Sequence, residues 1–427
     1  MFTTDPRDLF TIKGAITVEK RQQFAGREEL LSKCLDALAI DGSALVLFGE
    51  RGVGKTSLGW QLLGPFSGST QLIDERKIRT TFPVIGATCV WLTCNQFMQD
   101  IAGVIYALIE DSESQYSLKA AYPEIFNNET LVQRVTQRYK LKSPIAEAEL
   151  SIDPKKGKSP IGSSLKELAS NELIAFFTLK ELLNSAWEKY PRKRNLILFL
   201  DEFDQIQDRA QIGILLKSLN NVRFVLIGIA SSREKLIGHH GSIGRKLSFS
   251  TYEVPLLGTR DIDWFFDNVE QASGKSIRFS SGFRELVSRK SSGFPWLIQQ
   301  MGFYSVIYEI TSTHPRPAII NISERSYHGM IRDFLQTQIG DGSFSIMDLT
   351  ETQRRVLDTL SGTTKGRATE ALLIGKLPDS LRQFYDSAIE KLKGLEVIYE
   401  QSSEVRIKDP LTKILVDLAR EENLLQT

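Results

Sequence analysis

The chain is poor in cysteine and histidine: its 427 residues hold three cysteines and four histidines. Three cysteines cannot build a disulfide framework or a four-cysteine zinc site. Cys89 and Cys94 lie five positions apart in CVWLTC, a spacing that puts them on opposite faces of a strand. All three cysteines therefore read as small buried apolar side chains in a reducing compartment. His239 and His240 are adjacent and lack a third ligand at metal-binding spacing. An excess of charge of one sign is also missing. Fifty-three Lys+Arg against 52 Asp+Glu leave a net charge of +1, which excludes a nucleic-acid coat or a polybasic membrane binder. Any basic surface has to be local. Long hydrophobic runs are absent: LILFL and FVLIGIA fall far short of the roughly 18 residues that read as a span. The N-terminal MFTTDPRDLFTIKGAITVEKRQQ has charges throughout and no apolar centre, so it does not read as a signal peptide. A cytoplasmic protein with no membrane partner is expected.

What remains is an ordinary globular composition, 41% apolar and 25% charged, long enough for about two to four domains. Residues 1–23 read as a polar arm. FAGREELLSKCLDALA (24–39) has a helical stripe, ALVLF (44–48) a buried strand, and TSLGWQLL another helix. ATCVWLTCN (87–95), RKRNLILFLDEFD (192–204), NVRFVLIGIASS (221–232) and FSTYEVP (249–255) read as further strands. Helical patterns separate them, including ELIAFFTLKELLNSAWEKY (172–190). Strands alternating with helices predict a parallel α/β sheet. The proline-containing stretch at about 112–166 reads as an insertion, with a hairpin expected at AEAELSI. Past Gly258 the strand signal stops, and a helical lid is expected over 258–340. After a linker at Gly340–Ser343, residues 345–421 read as helix, helix, helix and two short strands, the order of a winged helix.

The sharpest motif is Gly49-Glu50-Arg51-Gly52-Val53-Gly54-Lys55-Thr56, which fits G-x-x-x-x-G-K-[ST] between a strand and a helix. Gly49, Gly52 and Gly54 let the backbone turn its N–H groups onto phosphate oxygens. The helix N-terminus adds positive potential. Lys55 supplies a charge between the β- and γ-phosphates, and Thr56 a hydroxyl for Mg²⁺. The strand 196–200 ends in Asp201-Glu202. Asp201 is the expected Mg²⁺ ligand, directly or through water, and Glu202 the group that orients and polarises the attacking water. This acidic pair favours the hydrolase branch of phosphate-loop proteins, and the lack of an N-K-x-D motif favours ATP over GTP.

Other positions leave two readings open. Ser231-Ser232 either presents a hydroxyl to phosphate or water or makes a plain strand-end turn. Arg245, with Arg233 as its alternative, is either a finger reaching a neighbouring subunit's nucleotide or a surface arginine. Pro295, in Ser292-Gly293-Phe294-Pro295, either brings a turn against adenine or ribose or simply starts a helix. Arg27, in Gly26-Arg27-Glu28, is a candidate contact for the base edge. The third helix expected in the winged-helix unit, about Asp379–Lys393, carries Arg382, Lys391 and Lys393 against Asp379, Asp386 and Glu390. It is either a DNA reader or a packing module, and both require its apolar side, including Phe384, to be buried.

Together FAGREEL, FGERGVGKTSL, LILFLDEFD, VRFVLIGIASS, HHGSIGRKL and SGFPWLI, followed by a winged-helix pattern, resemble the AAA+ and STAND P-loop ATPases. They look like the bacterial and archaeal members akin to origin-recognition initiators and transposition regulators. Val405-Arg406-Ile407-Lys408-Asp409-Pro410 resembles the close of archaeal STAND-type ATPases. The resemblance implies a five-stranded core, a helical lid, a C-terminal winged helix and an ATP-driven switch that self-associates. It carries Ser57 into the phosphate loop. The chain departs from the pattern in its 146 positions from Lys55 to Asp201, in the absence of a second-sensor arginine at the GFP turn, and in having no histidine after His328. The resulting expectation is a Mg²⁺-dependent ATPase that regulates a protein partner. A DNA-associated ATPase and a nucleotide-stabilised scaffold are the alternatives.

Overall fold

The computed structural model of the chain describes residues 5–141, 172–209, 211–219, 221–237, 250–313, 317–337, 346–363, 365–401 and 403–425. Five parallel strands form the central sheet: β1 (Ala44–Gly49), β2 (Thr88–Thr93), β3 (Leu196–Asp201), β4 (Val222–Ile229) and β5 (Thr251–Glu253). Their order is β2-β3-β4-β1-β5, so β4 lies between the loop strand and the acidic strand. The register sets Leu47 beside Ile227 and Leu198 beside Phe224. Strands β1, β3 and β4 are apolar along nearly their whole length because helices cover both faces. The two-residue period sends alternate side chains to two cores. Leu45, Leu47, Phe199 and Ile227 face one, and Val46, Leu198, Leu200 and Leu226 the other. Cys89 belongs to the first and Cys94 to the second; all three cysteines are buried and free, and burial raises each thiol above its ordinary range.

Helices α1 (Glu28–Leu38) and α2 (Lys55–Phe66) cover the first face. Helix α2 comes unusually close to the sheet at Gly59, where a Cβ would stand 2.5 Å from Ile227 Cδ1 and 2.9 Å from Trp91. Helices α3 (Ile101–Glu110), α4 (Glu129–Leu141), α5 (Glu172–Lys189) and α6 (Ile212–Ser218) cover the second. Residues 112–141 join this second core through Leu118, Tyr122, Phe126, Val132 and Val135. The hairpin expected at AEAELSI lies outside the described residues, as does the linker expected at Gly340–Ser343.

Helix α7 (Arg233–Ile237) follows β4, and α8 (Thr259–Ala272), α9 (Ser281–Ser291), α10 (Pro295–Ser312) and α11 (Glu324–Thr337) follow β5. Strands do not end at Gly258: β6 (Ile277–Phe279) and β7 (Ile320–Ile322) pair in parallel among the helices. Each has only three residues, too few for a period-two pattern to stand out in sequence.

The C-terminal unit comprises α12 (Glu351–Ser361), β8 (Arg367–Thr369), α13 (Glu370–Lys376), α14 (Tyr385–Gly394), β9 (Ile398–Gln401), β10 (Glu404–Ile407) and α15 (Pro410–Glu421). Its sheet is antiparallel with β10 central. The single helix expected over Asp379–Lys393 is broken into a turn at Asp379–Arg382 and α14. Phe384 at the break is 51% exposed rather than buried, because the break turns it off the apolar side that Tyr385, Ala388 and Ile389 bury. Among the described residues, no helix is long and apolar enough to cross a membrane.

Candidate functional site

The site forms where β1 runs into α2. Gly49, Gly52 and Gly54 have φ of 147°, 78° and 83°, values that strain any residue with a Cβ. This left-handed path lets the loop curl so that the free N–H groups at the start of α2 face a cleft of about 690 Å³. That volume lies within the range of small-molecule sites, roughly 300–1,000 Å³. A Cβ on Gly52 would stand 2.7 Å from Leu411 Cδ2, so α15 of the C-terminal unit rests directly on the loop.

Lys55 is 8% exposed, and its Nζ donates to the Glu50 carbonyl at 2.8 Å. Burial pushes its ammonium down to about 8, against the pull of Asp204, Asp201, Glu50 and Glu202. Asp201 closes β3 at 3% exposure. Its Oδ1 accepts from Thr56 Oγ1 at 3.1 Å, across 145 positions of sequence. Burial pushes this carboxyl up to about 6, against hydrogen bonds from the Glu202 backbone and Thr56. Glu202 is exposed, turns off the strand at φ 51°, and lines the cleft. The Thr56 hydroxyl and Asp201 carboxylate are hard oxygen donors side by side, a pair that suits Mg²⁺, which keeps waters and phosphate oxygens as its other ligands.

The remaining walls come from distant parts of the chain. Ser57 lines the cleft, but its Oγ accepts the Ile16 N–H at 3.0 Å. Gln61 Nε2 donates to the carbonyls of Ile16 and Thr17, both at 2.9 Å. On the opposite side the Thr11 N–H donates to Gln299 Oε1 at 3.0 Å, and Gln300 Nε2 donates to the Ile12 carbonyl at 2.7 Å. Residues 11–17, expected to belong to a polar arm, thus bridge α2 and α10 along the cleft. Pro295 opens α10 on the cleft wall. The turn before it depends on Gly293, with φ of 81°, where a Cβ would lie 2.4 Å from the Leu257 carbonyl oxygen.

Arg27 sits behind the loop. Its Nη2 donates to the carbonyls of Val53 and Pro255, and burial lowers its guanidinium to about 10. It borders a small cavity beside Gly54 and Pro295 rather than the main cleft. Ser232 is absent from the cleft lining; its Oγ accepts the Lys235 N–H at 3.4 Å at the start of α7. Gly228 and Ile229 line the cleft at the end of β4 instead. Arg245, His239 and His240 lie outside the described residues.

Three contributors went unread in sequence. Asp204 lines the cleft, and the third acid of LDEFD was the available signal. Residues 11–16 were hidden by their mixed composition. Glu396 and Lys408, an ion pair of the C-terminal unit, reach the cleft beside Asp409, and only packing brings them there.

A strand–loop–helix with three left-handed glycines, a buried lysine and an acidic strand one place removed in a parallel β2-β3-β4-β1-β5 sheet define a P-loop ATPase-type α/β fold. No protein-family model matches the chain, and no curated protein matches it. Solved structures with a similar overall arrangement include the Aeropyrum pernix ORC2 protein in ADPNP–ADP complexes. It is 14% identical, with 99% of this chain and 98% of that chain covered at a TM-score of 0.46. A Walker-type ATPase of Pyrococcus abyssi is 14% identical over 96% and 99% of the two chains, at 0.39. The Thermotoga maritima RuvB Holliday junction branch migration motor is 12% identical over 94% and 95%, at 0.41. What the cleft can do follows from its own residues.

Proposed function

We propose that the protein is an ATP-binding and ATP-hydrolysing switch whose C-terminal unit responds to the occupancy of the cleft. The observation that carries this reading is the meeting of Lys55, Thr56 and Asp201, with Thr56 Oγ1 and Asp201 Oδ1 3.1 Å apart beside a buried lysine. In this reading the loop N–H groups and Lys55 take the β- and γ-phosphates. Lys55 leaves the Glu50 carbonyl to do so. Thr56 and Asp201 hold Mg²⁺, which when bound offsets phosphate charge. Glu202 accepts a hydrogen bond from a water in line with the terminal phosphate and takes up its proton. Arg27 keeps the Val53 peptide in place from behind, and Pro295 borders the nucleoside end.

The switch follows from where the C-terminal unit touches the site. Leu411 packs against Gly52, and Glu396, Lys408 and Asp409 line the cleft. A loop that tightens around phosphate alters the seat of α15, and a protein partner reads that change. The element order α12, β8, α13, α14 and the β9–β10 pair supports a winged helix. The cations of its third-helix region favour a packing role over DNA reading. Arg382 pairs with Asp379 at 2.7 Å, and Lys393 with Glu390 and Glu400, each at 2.8 Å, so two of the three cations are already met by carboxylates rather than left to displace counterions from DNA.

The test is ATP·Mg²⁺ binding by calorimetry, turnover, and light scattering, on the wild type, Lys55→Ala and Glu202→Gln. Binding weakened about 100-fold in Lys55→Ala, and turnover lost with binding kept in Glu202→Gln, are expected. A nucleotide-dependent oligomer of Glu202→Gln would support self-association. Equal slow turnover in wild type and Glu202→Gln would sink the hydrolytic part, and salt-sensitive binding of duplex DNA would turn the reading toward a DNA-associated ATPase.

A further inference from the structure

The end of β4 is where the cleft departs from the chemistry expected of it. The strand runs between β1 and β3 and stops beside the phosphate loop. A polar side chain at that point would meet the terminal phosphate or its attacking water, and Ser231 and Ser232 are the nearest hydroxyls in sequence. The cleft is lined there by Gly228 and Ile229 and by neither Ser231 nor Ser232, and Ser232 accepts the Lys235 N–H at the start of α7.

The vacancy beside Gly228 is filled from the neighbouring strand. After β3 the chain turns through Glu202 and brings Asp204 across to β4, where Asp204 Oδ1 accepts the Ile229 N–H at 2.7 Å. A Cβ on Gly228 would stand 2.8 Å from that Oδ1, 3.1 Å from the Asp204 nitrogen and 2.5 Å from Leu236 Cδ1. Gly228 is therefore needed for room. Asp204 is half-buried and lines the cleft. Among the described residues its only side-chain hydrogen bond is the one through Oδ1, which leaves Oδ2 as an acceptor.

We infer that Asp204 is a second catalytic carboxylate, held by Oδ1 on the Ile229 amide while Oδ2 accepts a hydrogen bond from the attacking water. It supplies from β3 the polar group that β4 lacks. The inference rests on the reading of the cleft as an ATPase site. In the step it serves, the water oxygen donates a lone pair to the terminal phosphorus. The bond from that phosphorus to the bridging oxygen breaks, and both its electrons leave on ADP. The proton lost by the water passes to Glu202. Two carboxylates give the water two acceptors, so both its hydrogens are held and a lone pair is aimed at phosphorus rather than free to turn.

The charge and the tether can be separated. Asp204→Asn keeps an oxygen of the same reach for the Ile229 amide but turns the second position from acceptor to donor. Asp204→Ala removes both. ATP affinity by calorimetry, single-turnover rate and melting temperature are measured for both variants and the wild type. Asp204→Asn should slow the chemical step about 100-fold, with melting temperature unchanged and ATP bound as well as by the wild type or better. Wild-type turnover in Asp204→Asn with failure in Asp204→Ala would show a tether only and overturn the inference. Equal losses of affinity and rate in Asp204→Asn would show a distorted cleft and overturn it too. A wild type that binds ATP without hydrolysing it would instead bring down the ATPase reading, and this inference with it.

Discussion

The cleft and the C-terminal unit both carry lysines, arginines and acids, yet their charges sit in opposite circumstances. Lys55 is nearly buried, rests on a carbonyl and makes no ion pair among the described residues. Asp201 is buried beside a hydroxyl. In the C-terminal unit Arg382, Lys393 and Lys413 each hold a carboxylate within 2.8 Å, in exposed or partly exposed positions. A buried charge that lacks a counter-charge carries a desolvation cost. Exposed pairs cost little and contribute little. Similar residue types therefore lie buried without an ion pair in one region and paired in the other.

Glu202→Gln should act hardest on the cleft side of that comparison. Single-turnover assays should show hydrolysis slowed about 1,000-fold with ATP affinity retained, because only the proton acceptor is removed. Lys55→Ala comes next. Removing a buried charge-assisted donor should weaken ATP binding about 100-fold by calorimetry, and a variant that binds normally would break the comparison.

Affinity should also follow pH. Lys55 is charged below about 8, so binding weakens as pH rises past that value. Asp201 is ionised above about 6, so Mg²⁺-dependent binding weakens as pH falls below it. Between the two, calorimetric Kd values should be nearly flat, and outside them each should change by up to about tenfold per pH unit. Stability moves the other way for Asp201. Its folded pKa lies above its ordinary 3.8, so the nucleotide-free fold gains from this group as pH falls from about 6 toward 3.8. The smallest effect belongs to the C-terminal unit: Lys393→Ala should leave turnover and affinity unchanged and barely move the melting temperature in a thermal scan.

Much of the cleft was legible in sequence because its parts are local. The glycines of 49–54 and the strand ending at Asp201 each declare themselves within a few residues. Thr56 and Asp201, each singled out by its own motif, meet through a hydrogen bond. Asp204 was visible as an acid but not as a part of the cleft, since its partner amide belongs to Ile229 on the next strand. Ser57 fits the loop pattern, yet its hydroxyl holds the Ile16 amide, a contact no local pattern announces. Ser232 was the natural polar end of β4, but the chain starts α7 there and turns the hydroxyl to Lys235. The strands β6 and β7 and the exposed Phe384 escaped for the same reason: three-residue periods and a mid-helix break leave no signal until the neighbours are in place.

By itself the sequence determined the buried period of the sheet strands, the left-handed glycines of the loop and the buried character of the cysteines. Each is set by a side chain's own size or by the backbone freedom of its own position. Only tertiary structure decided which elements wall the cleft. Residues 11–17, Gln299, Asp204, Lys408 and Leu411 are far apart along the chain. Most meet because burying the faces of α2, α10 and α15 on one apolar core leaves their polar edges around the same loop, while Asp204 arrives through the turn after β3.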